Sequence, residues 1–437
     1  MASSIFYFYM TNLLRNQFPM LNNPNLKYLD SAATSQKPQV VIDSIVSFYT
    51  HYYASSHGVH SLAQNITNSV ENSRNMVANF VGGDSDEIIF VSGATDGINL
   101  IANGFLEGTL QKHSDVFDLM VDEIGEVLIC VAEHHSNILP WQRLCNFVGL
   151  KLVYFGVLPS GNIDMQDLES KINIHTKLVI CSAVSNTLGV INDVKAICGL
   201  AHRFRALVVV DTTQAVAHFD IKIKDWDCDF LIFSGHKIYA PTGIGILYAK
   251  SNLLARMPSY RLGGEMVESV SITQNIYKNN PYRFEAGTSN FAGIIGLQTA
   301  LEWFVSNKKI IFEHEKILQK QLLKQLLSIP KIQIYGYDYD LSVEQNCDRR
   351  IGLVSFNIEN INALDLAILL DLKGVCVRAG QHCTGILHEN LNIVSSCRIS
   401  LGCYNTIEEI DFTINSILQI IPKLIPKPTI NEKIRQN

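Results

Sequence analysis

Between residues 127 and 248 the chain repeats one pattern, a run of four or five apolar residues followed by a stretch of helical length. The runs are Val127 to Val131, Leu152 to Phe155, Leu178 to Cys181, Leu207 to Val210, Phe230 to Phe233 and Ile244 to Tyr248, and Ile88 to Val91 reads as a strand ahead of them. A strand with one solvated face alternates polar and apolar residues. Unbroken apolar runs separated by helices predict a mostly parallel sheet covered on both faces.

The residues with chemical potential fall just after these runs: His134, Asn186, Asp211 and Ser234. Ligands in such sheets bind beyond the carboxyl ends of the strands, so one cleft is expected there. Thr109 to Glu126 is acidic and lacks an apolar period, and reads as a surface excursion. Gly, Ser and Asn concentrate over residues 261–290, and Leu297 to Leu327 then reads as a long amphipathic helix leading to a second domain. Beyond it the pattern predicts strands at Leu353 to Asn357, Val375 to Arg378 and Ser396 to Leu401, and a helix over Asn362 to Lys373. Thr406 with Glu409 forms a capping box that opens a last helix through about Ile421, and the tail beyond reads as loose.

A chain of 437 residues predicts two domains. The division expected is an N-terminal extension over 1–20, a large cofactor-binding domain over 21–295, and a smaller C-terminal domain over 296–437, with the N-terminal segment packing on the smaller one. Hydrophobic content of 47% and charged content of 17% describe a folded protein with a substantial core. A net charge of −6 without a basic block argues against nucleic acid as a main partner. No apolar run of 18 residues supports a membrane span. The ten cysteines contain no CxxC pair, which points away from zinc ribbons and thioredoxin-type sites, and the first nine residues carry no clear secretion signal, which predicts free thiols in a reducing, cytoplasmic setting.

Ser234-Gly235-His236-Lys237 leaves a strand ahead of a Gly-rich turn, a place from which a lysine amine reaches a cleft and can hold an aldehyde cofactor as a Schiff base. Asp211 at a strand end suits a protonated pyridine nitrogen, although Asp is also a favoured helix N-cap. Gln214, three residues on, would face the same side. Ser92 to Asn99 runs from a strand into a helix and offers backbone N–H groups to a phosphate. His134 can stack on a flat ring, and Asn186 sits in a turn-forming segment that can equally be only a turn. Arg398 lies in an apolar strand and needs a carboxylate, from a substrate or from a buried acid of the chain. Cys383, in Arg378-Ala379-Gly380-Gln381-His382-Cys383, has the basic surroundings that favour a thiolate, from Arg378 and His382.

Together these residues resemble the group II, SUF-type cysteine desulfurases, a family that also holds selenocysteine lyase-like members. The resemblance runs from Tyr28-Leu29-Asp30-Ser31-Ala32-Ala33 to the final helix and is most specific at Phe233 to Lys237 and Arg378 to Cys383, with support from Gly263 to Met266 and Phe284 to Thr288. It implies aminotransferase fold type I, with a mostly parallel seven-stranded sheet and a smaller α+β domain carrying the cysteine loop. The cofactor implied is pyridoxal 5'-phosphate, bound covalently by Lys237, stacked on by His134, and held by Asp211 at its nitrogen and Gln214 at its phenolic oxygen. Thr95, Ser234 and His236 would bind the phosphate, and Thr288 the phosphate of a neighbouring subunit, which implies a homodimer with shared sites. Asn186, also a cofactor neighbour, and Arg398 would bind the substrate carboxylate with Arg378 nearby. Cys383 would take sulfur from L-cysteine as a persulfide, leaving alanine, for a SUF-type acceptor protein and iron–sulfur cluster assembly. L-selenocysteine is the alternative substrate, and a non-catalytic sulfur carrier the alternative role. The chain departs from the family at His57, where an arginine is usual, at Gln381, where His-His often precedes the cysteine, and at Ser92, which replaces a common basic residue.

Overall fold

The computed structural model describes residues 13–111 and 125–424. Most of the expected N-terminal extension, most of the acidic excursion and most of the tail lie outside them. A short first strand, β1 (Lys27–Tyr28), precedes seven strands: β2 (Ile88–Val91), β3 (Glu126–Cys130), β4 (Lys151–Phe155), β5 (Thr176–Ser182), β6 (Leu207–Asp211), β7 (Phe230–Ser234) and β8 (Gly245–Ala249). These seven form one sheet in the order β2-β8-β7-β6-β5-β3-β4. The pairings from β3 to β7 are parallel, and β8 runs antiparallel to both of its neighbours.

The apolar runs are explained by two cores, one on each face. Along the strands alternate residues divide between them. Leu128, Cys130, Val179, Cys181, Val208, Val210, Leu231 and Phe233 point to one face, covered by the helices Ser61–Val81, Val194–Arg203 and the start of Phe291–Leu327. Val127, Ile129, Leu178, Ile180, Val209, Phe230 and Ile232 point to the other, against Ala94–Gln111 and Leu139–Val148. Away from the edge strand β4, which is partly exposed, neither face meets water, so neither requires polar side chains.

After β8 comes a hairpin, β9 (Val267–Val270) and β10 (Asn275–Tyr277), exposed along most of its length. It lacked an alternating signal because it buries almost nothing. The long helix spans Phe291–Leu327, starting six residues before the sequence pattern suggested. Asn290 caps it, accepting from the Gly293 N–H at 3.0 Å. Gly293 and Gly296 disguise this start, because both read as helix breakers. Packing requires them: a Cβ on Gly296 would sit 2.9 Å from the Pro241 ring, and one on Gly293 would strike the Asn290 cap at 2.4 Å.

The remaining strands are β11 (Ile332–Ile334), β12 (Leu353–Ile358), β13 (Val375–Cys376), β14 (Arg378–Gly380) and β15 (Ser396–Ser400). An antiparallel sheet runs β11-β12-β15-β14. The single strand expected over Val375 to Arg378 is two. β13 pairs in parallel with β1, and after Val377 the chain crosses to pair with β15. A third core beneath this sheet joins Leu29, the second half of the long helix and the last helix, Ile407–Leu424. The capping box is present there, with Thr406 Oγ1 accepting from Glu409 N–H and Glu409 Oε2 from Thr406 N–H. Among the described residues no helix is long and apolar enough to cross a membrane.

Candidate active site

A cavity of about 250 Å³ opens at the carboxyl end of the large sheet and is closed from the other side by the cysteine loop. Ser234, His236 and Lys237 come from the end of β7, Asp211 and Gln214 from β6, Asn186 from β5 and His134 from β3. Thr95 lines it from the start of the helix after β2, and Arg378, Cys383 and Arg398 line it from the smaller sheet. Every site residue expected from the sequence is therefore on one cavity except Thr288. Thr288 lies with Ser92, Asp96, Tyr260 and Arg261 on a separate cleft of about 180 Å³.

Lys237 Nζ donates to the carbonyls of Ala32 and Ala33, the latter at 2.8 Å. Burial, reinforced by the charge of Arg398, pushes its pKa down to about 7. A large part of this lysine is thus free amine near neutrality, the form that attacks an aldehyde. Gln214 Nε2 donates to the Ala32 carbonyl at 3.0 Å. The Ser234 hydroxyl accepts from the Ala94 N–H at 2.8 Å, at the positive end of the helix Ala94–Gln111.

His134 is held by Ser136, whose N–H donates to Nδ1 at 3.1 Å. That assignment leaves the proton of a neutral ring on Nε2. The ring is neutral, since burial and then the charge of Lys237 bring its pKa down to about 4. His236 is likewise lowered to about 4, chiefly by burial, and its Nδ1 lies 3.1 Å from Thr34 Oγ1.

Arg398 is 2% exposed. It donates to the Asn186 carbonyl at 2.8 Å and pairs with Asp30 at 3.1 Å, while its Nε is buried without a partner. Of the two partners expected for this arginine, an acid of the chain is present as the half-buried Asp30, and the guanidinium also forms part of the cavity wall. Asp30 was missed as that acid because the contact spans 368 residues and exists only where the chain after β1 bridges from Asp30 to Ser400 on β15. The Asn186 side-chain amide donates to the His382 carbonyl at 2.7 Å and so fastens the cysteine loop.

The expectation that His382 supports a thiolate by its charge is corrected. His382 is 4% exposed and its Nε2 meets Ser396 Oγ at 3.0 Å. Burial, then the charge of Arg398, drives its pKa down to about 2, so the ring carries no charge. The cations on the cavity beside Cys383 are Arg378, Arg398 and, when protonated, Lys237. Cys383 is half-buried, whereas seven of the ten cysteines are fully buried. All ten are free.

Two further residues were not singled out from the sequence. Glu133, 1% exposed, accepts from Ser182 N–H at 2.7 Å and from Asn137 Nδ2 at 2.7 Å, tying the end of β3 to β5 beneath the cavity. Burial lifts its pKa to about 7. Thr213 Oγ1 lines the cavity and is buried without a partner. Its place two residues after Asp211 was the available signal.

The profile of the aminotransferase class-V family matches residues 27–412. A cysteine desulfurase of Enterobacter sp. (strain 638) is 40% identical over 416 residues, covering 93% of this chain and 97% of the relative. One from Serratia proteamaculans (strain 568) is 40% identical, covering 94% and 98%. Among solved structures, the apo cysteine desulfurase of Thermococcus onnurineus NA1 superposes with a TM-score of 0.85 at 33% identity, over 94% of this chain and 97% of that one. The Escherichia coli cysteine desulfurase CsdA, in an S-sulfonic acid form, gives 0.84 at 30% identity over 95% and 99%. These families depend on pyridoxal 5'-phosphate, and the residues present suit it. Lys237 supplies an amine of lowered pKa, a helix N-terminus faces the cavity at Thr95, and burial raises the pKa of Asp211, which a protonated ring nitrogen would offset. The orphaned Thr213 Oγ1 and Arg398 Nε are further groups suited to polar partners. From the matched length, the shared fold and a cavity of this chemistry, the chain belongs to the aminotransferase class-V family, among its cysteine desulfurases.

Proposed function

We propose that this chain removes sulfur from L-cysteine onto Cys383, leaving L-alanine. The observation that carries the reading is that the Lys237 amine, the Cys383 thiol and the Arg398 guanidinium share the wall of one cavity. Pyridoxal phosphate, when bound, draws electrons from the substrate Cα and so makes its proton labile. Lys237 holds the cofactor and then serves as the base and acid at Cα; its lowered pKa suits both tasks. Asp211 would partner the ring nitrogen and Gln214 the phenolic oxygen, and His134 would stack on the ring. Thr95, Ser234 and His236 take the phosphate. Arg398, with Asn186 and Arg378, takes the substrate carboxylate.

Cys383 Sγ attacks the substrate sulfur as a thiolate. A sulfur–sulfur bond forms, the Cβ–S bond breaks, and its electron pair stays on carbon, which takes up a proton to give alanine. No external oxidant is required. The persulfide then passes to a thiol of an acceptor protein of the SUF type, supplying iron–sulfur assembly in the cytoplasm, and free thiols throughout the chain accord with that reducing setting. The working form is a homodimer in which Thr288 serves the partner's site. Its position on a separate cleft away from Lys237 of its own chain supports that reading.

The test is incubation of the holoenzyme with L-cysteine, with alanine and protein persulfide measured together. Alanine in step with persulfide on the Cys383 peptide is expected, and Cys383→Ala should lose the persulfide while keeping the cofactor. Persulfide on another cysteine, with Cys383→Ser fully active, would overturn the assignment.

A further inference from the structure

Beside His134 stands a residue that the mechanism does not use. The rings of His134 and His135 are 6.3 Å apart and tilted by 46°, and only His134 lines the cofactor cavity. His135 turns instead to the cysteine loop and holds it at two points. Its main-chain N–H donates to the Cys383 carbonyl at 2.8 Å, and its Nε2 accepts from the Gly385 N–H at 3.0 Å. The fit is close: a Cβ on Gly385 would stand 3.3 Å from Nε2.

The loop needs such holding. His382 and Cys383 both have left-handed backbones, with φ of 51° and 59°, a conformation that non-glycine residues keep only where surrounding bonds fix it. Asn186 grips the loop before Cys383 at the His382 carbonyl, and Thr187 Oγ1 meets Thr384 Oγ1 at 2.8 Å. His135 alone among these binds the loop at Cys383 itself and again two residues later. It also comes directly after His134, which lines the cavity, so one short segment contributes both to the cavity wall and to the backbone of the cysteine loop.

We propose that His135 is a positioning residue for Cys383, fixing the left-handed loop through the Gly385 N–H···Nε2 bond so that the thiol faces the substrate sulfur. The proposal rests on the sulfur-accepting role of Cys383 given above. Nucleophile placement is sensitive, since a displacement of about 1 Å costs up to roughly a hundredfold in rate.

The experiment compares His135→Ala, His135→Gln and His135→Phe in the holoenzyme. A Gln carbonyl can accept from the Gly385 N–H where Nε2 does, whereas Phe fills the space without an acceptor. The kcat for alanine formation should fall about ten- to a hundredfold in the Ala and Phe variants, with KM for L-cysteine within about twofold and cofactor colour retained. The Gln variant should recover most of the loss. In the absence of substrate, iodoacetamide should alkylate Cys383 faster in the Ala and Phe variants than in wild type or Gln, as read by peptide mass spectrometry. This arm needs no turnover, so it separates failure of the positioning role from failure of the desulfurase reading. Equal kcat and equal alkylation in the Gln and Phe variants would overturn the proposal, and that pair decides the matter even if the Ala variant does not fold.

Discussion

Burial of Lys237 should be visible as a change in when this protein accepts its cofactor. An exposed lysine titrates near 10.5, while Lys237 is lowered to about 7. At pH 7 about half of Lys237 is free amine, against roughly three in ten thousand for an exposed lysine, so burial supplies on the order of a thousandfold more nucleophile. Stopped-flow reconstitution of cofactor-free protein with pyridoxal phosphate follows this through the colour of the bound form. The rate should climb about tenfold per pH unit below neutrality, bend near pH 7, and be flat above about pH 8. Replacing Arg398 with Gln removes the second contributor to the lowered value, so the bend should move to higher pH. The stability of the cofactor-free protein carries the same signature. Because the unfolded state binds the proton up to about 10.5 and the folded state only up to about 7, this group makes stability rise with pH between those values, by at most about 1.4 kcal/mol per pH unit. A rate still rising tenfold per unit between pH 8 and 10 would refute the argument.

Three other outcomes are expected. Glu285→Gln should cost roughly 3–5 kcal/mol in chemical denaturation, because Arg74, 1% exposed, loses a bidentate partner at 2.8 and 2.9 Å; a loss under about 1 kcal/mol would show that the pair contributes little. His382→Gln should leave the rate of Cys383 alkylation at neutral pH unchanged, since the imidazole carries no charge to lose; a marked slowing would count against the neutral ring. Mixing Lys237→Ala and Thr288→Ala chains under exchange should restore activity that neither has alone, and persistence of both defects would remove Thr288 from the partner's site.

The large sheet was legible because its strands are buried on both faces, so their composition is apolar whatever their neighbours. The cavity was legible because parallel strands all end at one edge, where the residues just beyond them gather, as with His134, Asp211 and Lys237. The features that escaped depend on distant parts of the chain. Asp30 becomes the partner of Arg398 only through the bridge from Asp30 to Ser400 on β15, and the neutral state of His382 arises from burial that its basic-looking motif does not disclose. His135 sits beside His134 in sequence yet serves another element, because a 3-10 turn at His135–Asn137 swings it away. The start of the long helix was hidden by glycines that packing demands.

The pairing of β1 with β13 also sets a timetable for synthesis. Lys27 meets Val375, about 350 residues later, and that same N-terminal stretch brings the Ala32 and Ala33 carbonyls to Lys237 and Asp30 to Arg398. At 5–20 residues per second a ribosome needs roughly 20 to 70 s to cover that separation. Throughout that interval the nascent large sheet can form, yet β1 has no strand to pair with and the Cys383 thiol has not been made. A chain that ends before Cys383 therefore lacks the thiol on which the proposed sulfur transfer depends.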